Sequence, residues 1–514
     1  MKKSVVFLII LICSCLLTAV SCSRETETQE ETVKEENIWT ECMDLSARKN
    51  IRLVVIGSMP DDFDEVLAEI NRKLLEKINT TISVKIISLS EWNVIYPLML
   101  SGGEQIDLIY TAEWCDYAQE AGKNAFLELT DDFVKQYMPV SYAHTPEVVW
   151  DQARVSGKIY ALPRTYTDNS SYGAVLIRKD ILEKTGMDTV DSLDSYEEFL
   201  YKSASLGLSG YPFVAFPSLP MVSMLMLPKE HMLTVSQELV WDTDEGPADP
   251  EKLMFLYDTD EYREYCLRMA AWAEAGVWPS NAISGTIHTF RHLEEGRSFS
   301  AVVRMHEAQN YLDSLARRGY PAKIYCVLDE DAYVRMNHYS GDMLSISIFS
   351  ADPARAALCL DVLKHDREIN LLCQGGIEGR HYILNEDGTR ERGPEYTDYV
   401  WSDWAWALRN GEFYPLEKKS EEVLRVAEEI DSHLLPDDEW PFTGFRMDDT
   451  AVIAEISVIR SLIQEYEYSF NLGVFGDETD VKVREFQAKL HDAGLDKVME
   501  EWKKQLRMWL SETD

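Results

Sequence analysis

The sequence predicts an α/β protein of two lobes, closed by a helical C-terminal portion. Three observations predict it. Strand-like and helix-like segments alternate from residue 51 to 110, and the alternation returns from residue 172 to 364. Residues 38–514 are far more chain than one hydrophobic core holds. From about Val423 onward the pattern is mostly helical, broken at Asn471-Leu472-Gly473.

Element by element, Ile51 to Gly57 (IRLVVIG) is a β-branched run ending in glycine, the pattern of a buried strand in a parallel sheet. Asp61 and Asp62 stand where a helix start favours acids, and Val66, Ile70 and Leu74 continue at helical spacing. Thr81 to Leu89 alternates as a strand. Trp92 to Leu100 is a short helix containing Pro97 and stopped by Ser101-Gly102-Gly103, and Ile106 to Tyr110 is the next strand. The order implies a parallel sheet with crossovers. Tyr172–Ile177, Phe299–Met305, Lys323–Leu328 and Met343–Phe349 are further strands, and Glu261–Ala275 is strongly helical. Asp352-Pro353 opens a helix from Ala354 to Lys364. No internal repeat is visible.

The N-terminus carries an address. Lys2 and Lys3 precede an apolar run from Val5 to Leu17, too short and too early for a stable membrane span, so residues 1–21 are expected to be a signal peptide. Ala19-Val20-Ser21-Cys22 resembles a bacterial lipobox, with Ala19 where the pattern more often has leucine. Cys22 is then the lipidated (palmitate-bearing) first mature residue. Residues 22–37 are polar and acidic with almost nothing to bury, and are expected to be a flexible tether. No later run of about 20 apolar residues exists, so membrane attachment is expected through the lipid alone.

The formal charge is −39, and losing Lys2 and Lys3 with the signal takes it to −41. A polyanion of that size repels nucleic acid and anionic lipid, which excludes both as expected partners. Beyond Cys13, Cys15 and Cys22 the cysteines are Cys42, Cys115, Cys266, Cys326, Cys359 and Cys373, none in a metal-ligand spacing. Several sit in apolar runs as small hydrophobes; export permits disulfides without demanding them. No metal or cofactor is expected.

The opening strand Ile51–Gly57, the run Ser101-Gly102-Gly103-Glu104-Gln105-Ile106-Asp107-Leu108, the segment Gly157–Pro163 (GKIYALP) and the segment Gly375–Tyr382 (GGIEGRHY) together resemble the extracellular solute-binding proteins of family 1, the group containing maltose-binding protein, in its DUF3502-containing lipoprotein subgroup. The Ser101 run is similar to the family's SGxxxDI element with one extra residue. Gly157-Lys158-Ile159-Tyr160-Ala161-Leu162-Pro163 resembles the GKxYALP crossing segment, the most specific match. Gly375-Gly376-Ile377-Glu378-Gly379-Arg380-His381-Tyr382 resembles the subgroup's GIEGKHY signature with arginine for lysine, and Ala493–Val498 its closing element. The resemblance covers nearly all of the mature chain. It implies a two-lobed, periplasmic-binding-protein-like (type II) fold, with lobe 1 formed by 38–165 plus 332–378 and lobe 2 by 166–331 plus 379–514. It also implies capture of a small polar solute, most often an oligosaccharide, by hinge closure, and delivery to the permease subunits of an ABC importer at the extracytoplasmic face of the cell membrane.

Ligands of α/β sheets bind beyond the carboxyl ends of strands, which directs attention to particular residues. Ser58 follows the opening strand, and Thr111, Glu113, Trp114 and Tyr117 follow IDLIY. Trp114 lies where the family places a stacking aromatic; the plain alternative is that it covers the lobe's core. Arg164, Tyr166 and Asp168 follow the crossing segment and can reach a ligand, although Arg164 can equally lock the crossing strand through carbonyls. Arg304 and His306 end a strand, with surface ion pairing as the alternative, and Tyr339 is a weaker candidate. Trp401, Trp404 and Trp406 look like a stacking platform, but spacings of three and two cannot put all three on one helix face, which favours core packing. Arg380 and His381 can be structural alone.

The rival functions are a surface glycan-acting hydrolase, which needs two carboxylates facing across a cleft, and a sensor or adhesin subunit on the same fold. No GxSxG, HExxH, Walker-type or GxGxxG segment supports an enzyme.

Overall fold

The computed structural model describes residues 38–513 except 90, 169–172, 214–231, 235–237, 243–248, 285–288, 331, 335, 402–403, 414–416, 436–441, 443–444 and 446. The expected signal segment, Cys22 and the tether lie outside the described residues. No described helix is long and apolar enough to cross a membrane. The chain forms two compact units, one from residues up to Thr167 with His338–Lys418, the other from Asp168–Asn337 with Lys419–Asp514.

The first unit is built on a five-stranded sheet in the order Thr80–Ile87, Lys49–Ile56, Leu108–Thr111, Met343–Ile346, Ala161–Pro163. Lys49–Ile56 has Ile51, Leu53, Val54, Val55 and Ile56 all buried, as a central strand covered on both faces requires. Helix Phe63–Ile78 buries Phe63, Val66, Ile70, Leu74 and Ile78 along one stripe and stops at Asn79, which turns left-handed at φ 49°. Helix Pro353–His365 opens on Asp352, whose carboxylate accepts from the Arg355 backbone N–H at 3.2 Å. This helix is buried nearly all round.

The second unit carries a four-stranded sheet in the order Ala322–Cys326, Ala174–Arg178, Ser298–Val303, Tyr211–Phe213. Alternation along its second strand sends Ala174 and Leu176 into one core and Val175 and Ile177 into another, so both faces are covered. Helices Asp260–Glu274, Ile453–Asn471, Thr479–Asp492 and Leu495–Thr513 pack on the Val175 and Ile177 side.

Two expectations are corrected. The sheets are mixed, not parallel. Met343–Ile346 runs antiparallel to both neighbours, and Ala174–Arg178 is antiparallel to both of its own. The strand Met343–Ile346 follows the second passage of chain between units and joins the sheet running the opposite way to the strands laid down before the first passage. The segment 379–418, assigned to lobe 2 from sequence, packs in the first unit, where Trp406 and Leu408 are fully buried in the same core as Leu53 and Val55. Cys42, Cys115, Cys266, Cys326, Cys359 and Cys373 are all free thiols. Burial pushes the Cys359 thiol up to about 12, so it stays protonated and inert.

A buried polar network fixes the interior of the first unit. Asp342, fully buried, accepts from Arg164 Nη1 at 2.8 Å and from Arg409 Nη2, with Arg409 Nε at 3.3 Å from its other oxygen. Arg164 Nη2 also donates to the His338 carbonyl at 2.8 Å. Nearby, the fully buried Lys364 ammonium donates to the Pro163 carbonyl. Burial drives its pKa down to about 7; the Asp342 and Asp361 charges oppose the fall and Arg164 adds to it. Burial, then the charges of Lys364 and His144, depress His365 to about 3. Asp361 accepts from Trp39 Nε1, the Val140 and Ser141 backbone N–H groups and Ser141 Oγ, at 2.6–3.1 Å. These bonds oppose the rise that burial imposes on its pKa.

The interior of each unit yields one prediction. Between pH 7 and the ordinary lysine value of 10.5 the unfolded chain holds a proton at residue 364 that the folded chain sheds, so this group's contribution to stability improves as pH rises through that window and is worst below pH 7. Lys364→Met should therefore gain on the wild type at pH 6 and lose that advantage towards pH 10, measured by urea melts; a pH-independent difference would contradict the assignment. Gly473, at φ +61°, has Met269 O 2.5 Å and Ala270 Cα 2.7 Å from where a Cβ would stand. Gly473→Ala should cost about 2–3 kcal/mol in the same melts, against about 1 kcal/mol for Gly276→Ala, where φ is +75° but the space is open.

Candidate functional site

In the first unit the chain leaves strand Leu108–Thr111 through a tight turn. Cys115 and Tyr117 both return their N–H groups to the Ala112 carbonyl, at 2.9 and 3.2 Å, and Asp116 takes φ 51°. The turn lifts Glu113 and Trp114 out of the sheet. Trp114 is half-buried and donates its indole N–H to the Gly341 carbonyl at 2.8 Å. Its ring meets Trp92 at 5.5 Å and 90°, Trp404 at 5.8 Å and 86°, and Tyr110 at 5.8 Å and 51°. Tyr110 is buried beneath; the three indoles are each half-buried. Glu113 returns its N–H to the Ser340 carbonyl at 3.0 Å, and its carboxylate accepts from Ser340 Oγ at 3.2 Å with His338 Nδ1 at 3.7 Å. A stacking surface and a carboxylate therefore stand side by side, the pairing that sugars require: apolar C–H faces on rings, hydroxyls on acids.

The other candidates distribute unevenly. Arg164 is only 3% exposed and committed to Asp342 and the His338 carbonyl, so it positions the crossing segment and is not offered to solvent. Ser58 is exposed beside Gly57, whose backbone lies against the Trp401 ring. Tyr166 and Tyr339 are half-buried, and the Tyr339 N–H donates to Gln152 Oε1 at 2.7 Å. Asp168, Arg304 and His306 belong to the second unit. There Asp168 bridges His306 Nδ1 at 3.1 Å and accepts from Asn337 Nδ2 at 2.9 Å, while exposed Arg304 precedes helix Met305–Arg317.

Sequence reasoning missed Trp92 and Trp404 as companions of Trp114. Trp92 had a signal, since it opens the helix after strand Thr80–Ile87, at the same carboxyl edge that drew attention to Trp114. Trp404 had none. Trp401, Trp404 and Trp406 split: Trp406 is fully buried, Trp401 stacks on Phe63 at 5.6 Å, and of the three Trp404 alone meets Trp114.

Two other clusters read as structural. Asp62, His381 and Glu395 lie close enough to hold a metal, but His381 Nδ1 accepts from the Ile377 N–H at 2.9 Å, which leaves the proton on Nε2, 3.1 Å from Asp62. Arg380 spans Asp62, Glu65 and Glu395 at 2.6–2.7 Å. The signature pair thus clamps its loop to the start of helix Phe63–Ile78, and the donor set is already spent on cations. Ser141, His365 and Asp361 contain the residue types of a hydrolytic triad in the wrong order. The carboxylate holds the fully buried serine hydroxyl at 2.6 Å and the imidazole lies on the hydroxyl's other side at 3.0 Å. In the second unit a groove of about 480 Å³ runs between Met254–Phe255 and the last helices. Its His491 is held by Asp258 and Asp496, each at 3.0 Å.

Comparison with known proteins agrees with this architecture. Residues 441–511 match the model of a domain of unknown function, DUF3502. A carbohydrate ABC transporter substrate-binding protein of Streptococcus pneumoniae is 23% identical over 461 residues, covering 88% of this chain and 90% of that one. Among solved structures, the N-glycan transport solute binding protein NgtS of Streptococcus pneumoniae superposes with a TM-score of 0.71 at 20% identity, over 91% of this chain and 100% of that one. The alginate-binding protein AlgQ2 gives 0.64 at 13% identity, over 90% and 99%. The chain thus ends in a DUF3502 domain and has the fold of the ABC-transporter solute-binding proteins.

Proposed function

We propose that this protein is a lipid-anchored solute-binding protein that captures an oligosaccharide outside the cytoplasm and passes it, unaltered, to the permease of an ABC importer. The observation that carries the reading is Trp114, held by its N–H at a strand's carboxyl edge with its ring among aromatics and with Glu113 and Ser340 beside it. That arrangement suits a sugar ring, with an apolar face against the indole and hydroxyls on the carboxylate. The similar proteins point to the same ligand class: the S. pneumoniae relative is named as a carbohydrate binder, and NgtS has been solved with Man1GlcNAc and with Man5GlcNAc. Attachment through Cys22 follows from the lipobox-like Ala19-Val20-Ser21-Cys22.

A thermal-shift screen over oligosaccharides tests the reading. A true ligand at about 100 times its dissociation constant stabilises by about 2.7 kcal/mol. Trp114→Ala should lose that ligand-dependent shift. Because the ring is half-buried, the variant's unliganded melt should fall somewhat too, so the shift is the readout. A shift as large in the variant as in the wild type would remove Trp114 from the site, and appearance of cleaved glycan would overturn the binding-only role.

A further inference from the structure

The groove of about 480 Å³ in the second unit has no part in the proposed solute binding. One wall is residues 253–261, and the other belongs to the stretch that matches DUF3502. The floor is apolar: Leu253, Phe255 and Leu495 are buried, and Met254 and Met499 are half-buried. Met254–Phe255 is also the edge strand of a three-stranded sheet, paired on one side only, with Leu239–Asp242. The Leu256 N–H bonds the Glu238 carbonyl at 2.9 Å, so antiparallel alternation turns the Phe255 N–H away from that neighbour. The rim is acidic. Asp258, Asp260, Glu261 and Asp496 outnumber the basic groups His491 and Lys503, and both of these are engaged. His491 Nδ1 and Nε2 each lie 3.0 Å from an aspartate, Asp496 and Asp258 respectively, and Lys503 donates to the Glu251 carbonyl at 2.7 Å. Asp260 and Glu261 have no ion pair or side-chain hydrogen bond among the described residues.

We propose that this groove docks an extended, basic segment of a partner protein. Lysine or arginine side chains of the segment meet Asp260 and Glu261, and its leucine-sized side chains lie on Met254, Leu495 and Met499. An edge strand is a template for another extended chain, and an extended chain sends successive side chains to opposite sides. Alternating basic and apolar residues would therefore reach the rim and the floor in turn. Charge decides between occupants. A second copy of this chain, at −39, would be repelled. A bare metal ion or a polyamine would satisfy the acids and leave the apolar floor without a partner. A basic segment with apolar side chains answers both surfaces at once. The DUF3502 stretch then supplies one wall of a recognition site as well as part of its lobe's core.

Fluorescence anisotropy with labelled hexapeptides tests this on the full chain at physiological ionic strength, where diffuse attraction to a polyanion is screened. The probes alternate lysine with leucine, lysine with serine, and glutamate with leucine. The lysine–leucine peptide should bind, the lysine–serine peptide about tenfold more weakly, and the glutamate–leucine peptide not at all. Asp260→Asn combined with Glu261→Gln should weaken the lysine–leucine peptide about tenfold. Asp131→Asn combined with Asp132→Asn, an equally acidic pair in the first turn of a first-unit helix, should leave its binding unchanged. Equal losses from the two pairs would assign the binding to net charge and overturn the groove. The proposal also fails if the lysine–serine peptide binds as tightly as the lysine–leucine one, or if spermidine displaces the peptide at matching concentration. Absence of binding by the lysine–leucine peptide overturns it outright.

Discussion

Asp342 is one carboxylate with no exposure to water, and three stretches of chain depend on it. Arg164 lies three residues before the chain first leaves the first unit at Thr167, Asp342 itself lies four residues after the return at His338, and Arg409 precedes the last departure at Lys418. A buried ion is tolerated only when its partners satisfy it, and here two guanidiniums do so. Counted together, Arg164 and Arg409 balance Asp342 and Asp361. Lys364 is the fifth member, and it is the one that burial pushes to about 7. The interior approaches neutrality by discharging the group whose proton is easiest to lose, since an arginine cannot do so.

That network reaches the candidate site through one short stretch of backbone. His338, Ser340 and Gly341 lie just ahead of Asp342, and they hold Arg164, Glu113 and Trp114 respectively. Trp114 is therefore oriented by a carbonyl 227 positions away in the sequence, next to the residue that the whole network converges on. The exposed chemistry of the site and the buried electrostatics of the unit share a peptide segment. Disturbing the ions would be expected to misplace the indole before it unfolded the sheet.

How much of this could be read from the sequence depended on the range of the interaction. Helix Phe63–Ile78 was visible because its buried stripe repeats within the helix itself, and Lys49–Ile56 because a strand covered on both faces must be apolar throughout. Asp352 before Pro353 marked a helix start by a bond spanning three residues. The antiparallel entry of Met343–Ile346 was invisible, since strand direction is set by which unit the chain is returning from and leaves no mark on MLSI. The same limit hid the 379–418 segment: Trp406 is an ordinary apolar residue until its partner Phe63 is known. Trp114 was legible through its place after a strand, whereas the spacing of Trp401, Trp404 and Trp406 could not tell which of them would leave the core, and only contact with Trp114 singles out Trp404.

The C-terminal region shows why a sequence-defined domain need not be a structural one. Residues 441–511 match DUF3502 as a block, yet their buried side chains do not form a core of their own. Ile456, Ile459, Phe486, Leu490, Trp502 and Leu506 share one cluster with Val175 and Ile177 of the sheet and with Tyr262 and Met269 of helix Asp260–Glu274. Phe470 sits edge-on to Tyr262 at 6.4 Å, and the backbone at Gly473 leaves no room for a Cβ against that same helix. Cutting the chain near residue 441 would strip the partners from the apolar face of helix Asp260–Glu274 and open the cluster it shares with the sheet, an apolar loss that no surface charge offsets. The physical expectation is that DUF3502 folds only with the helix it packs against, as the missing half of a lobe and not as a module attached to one.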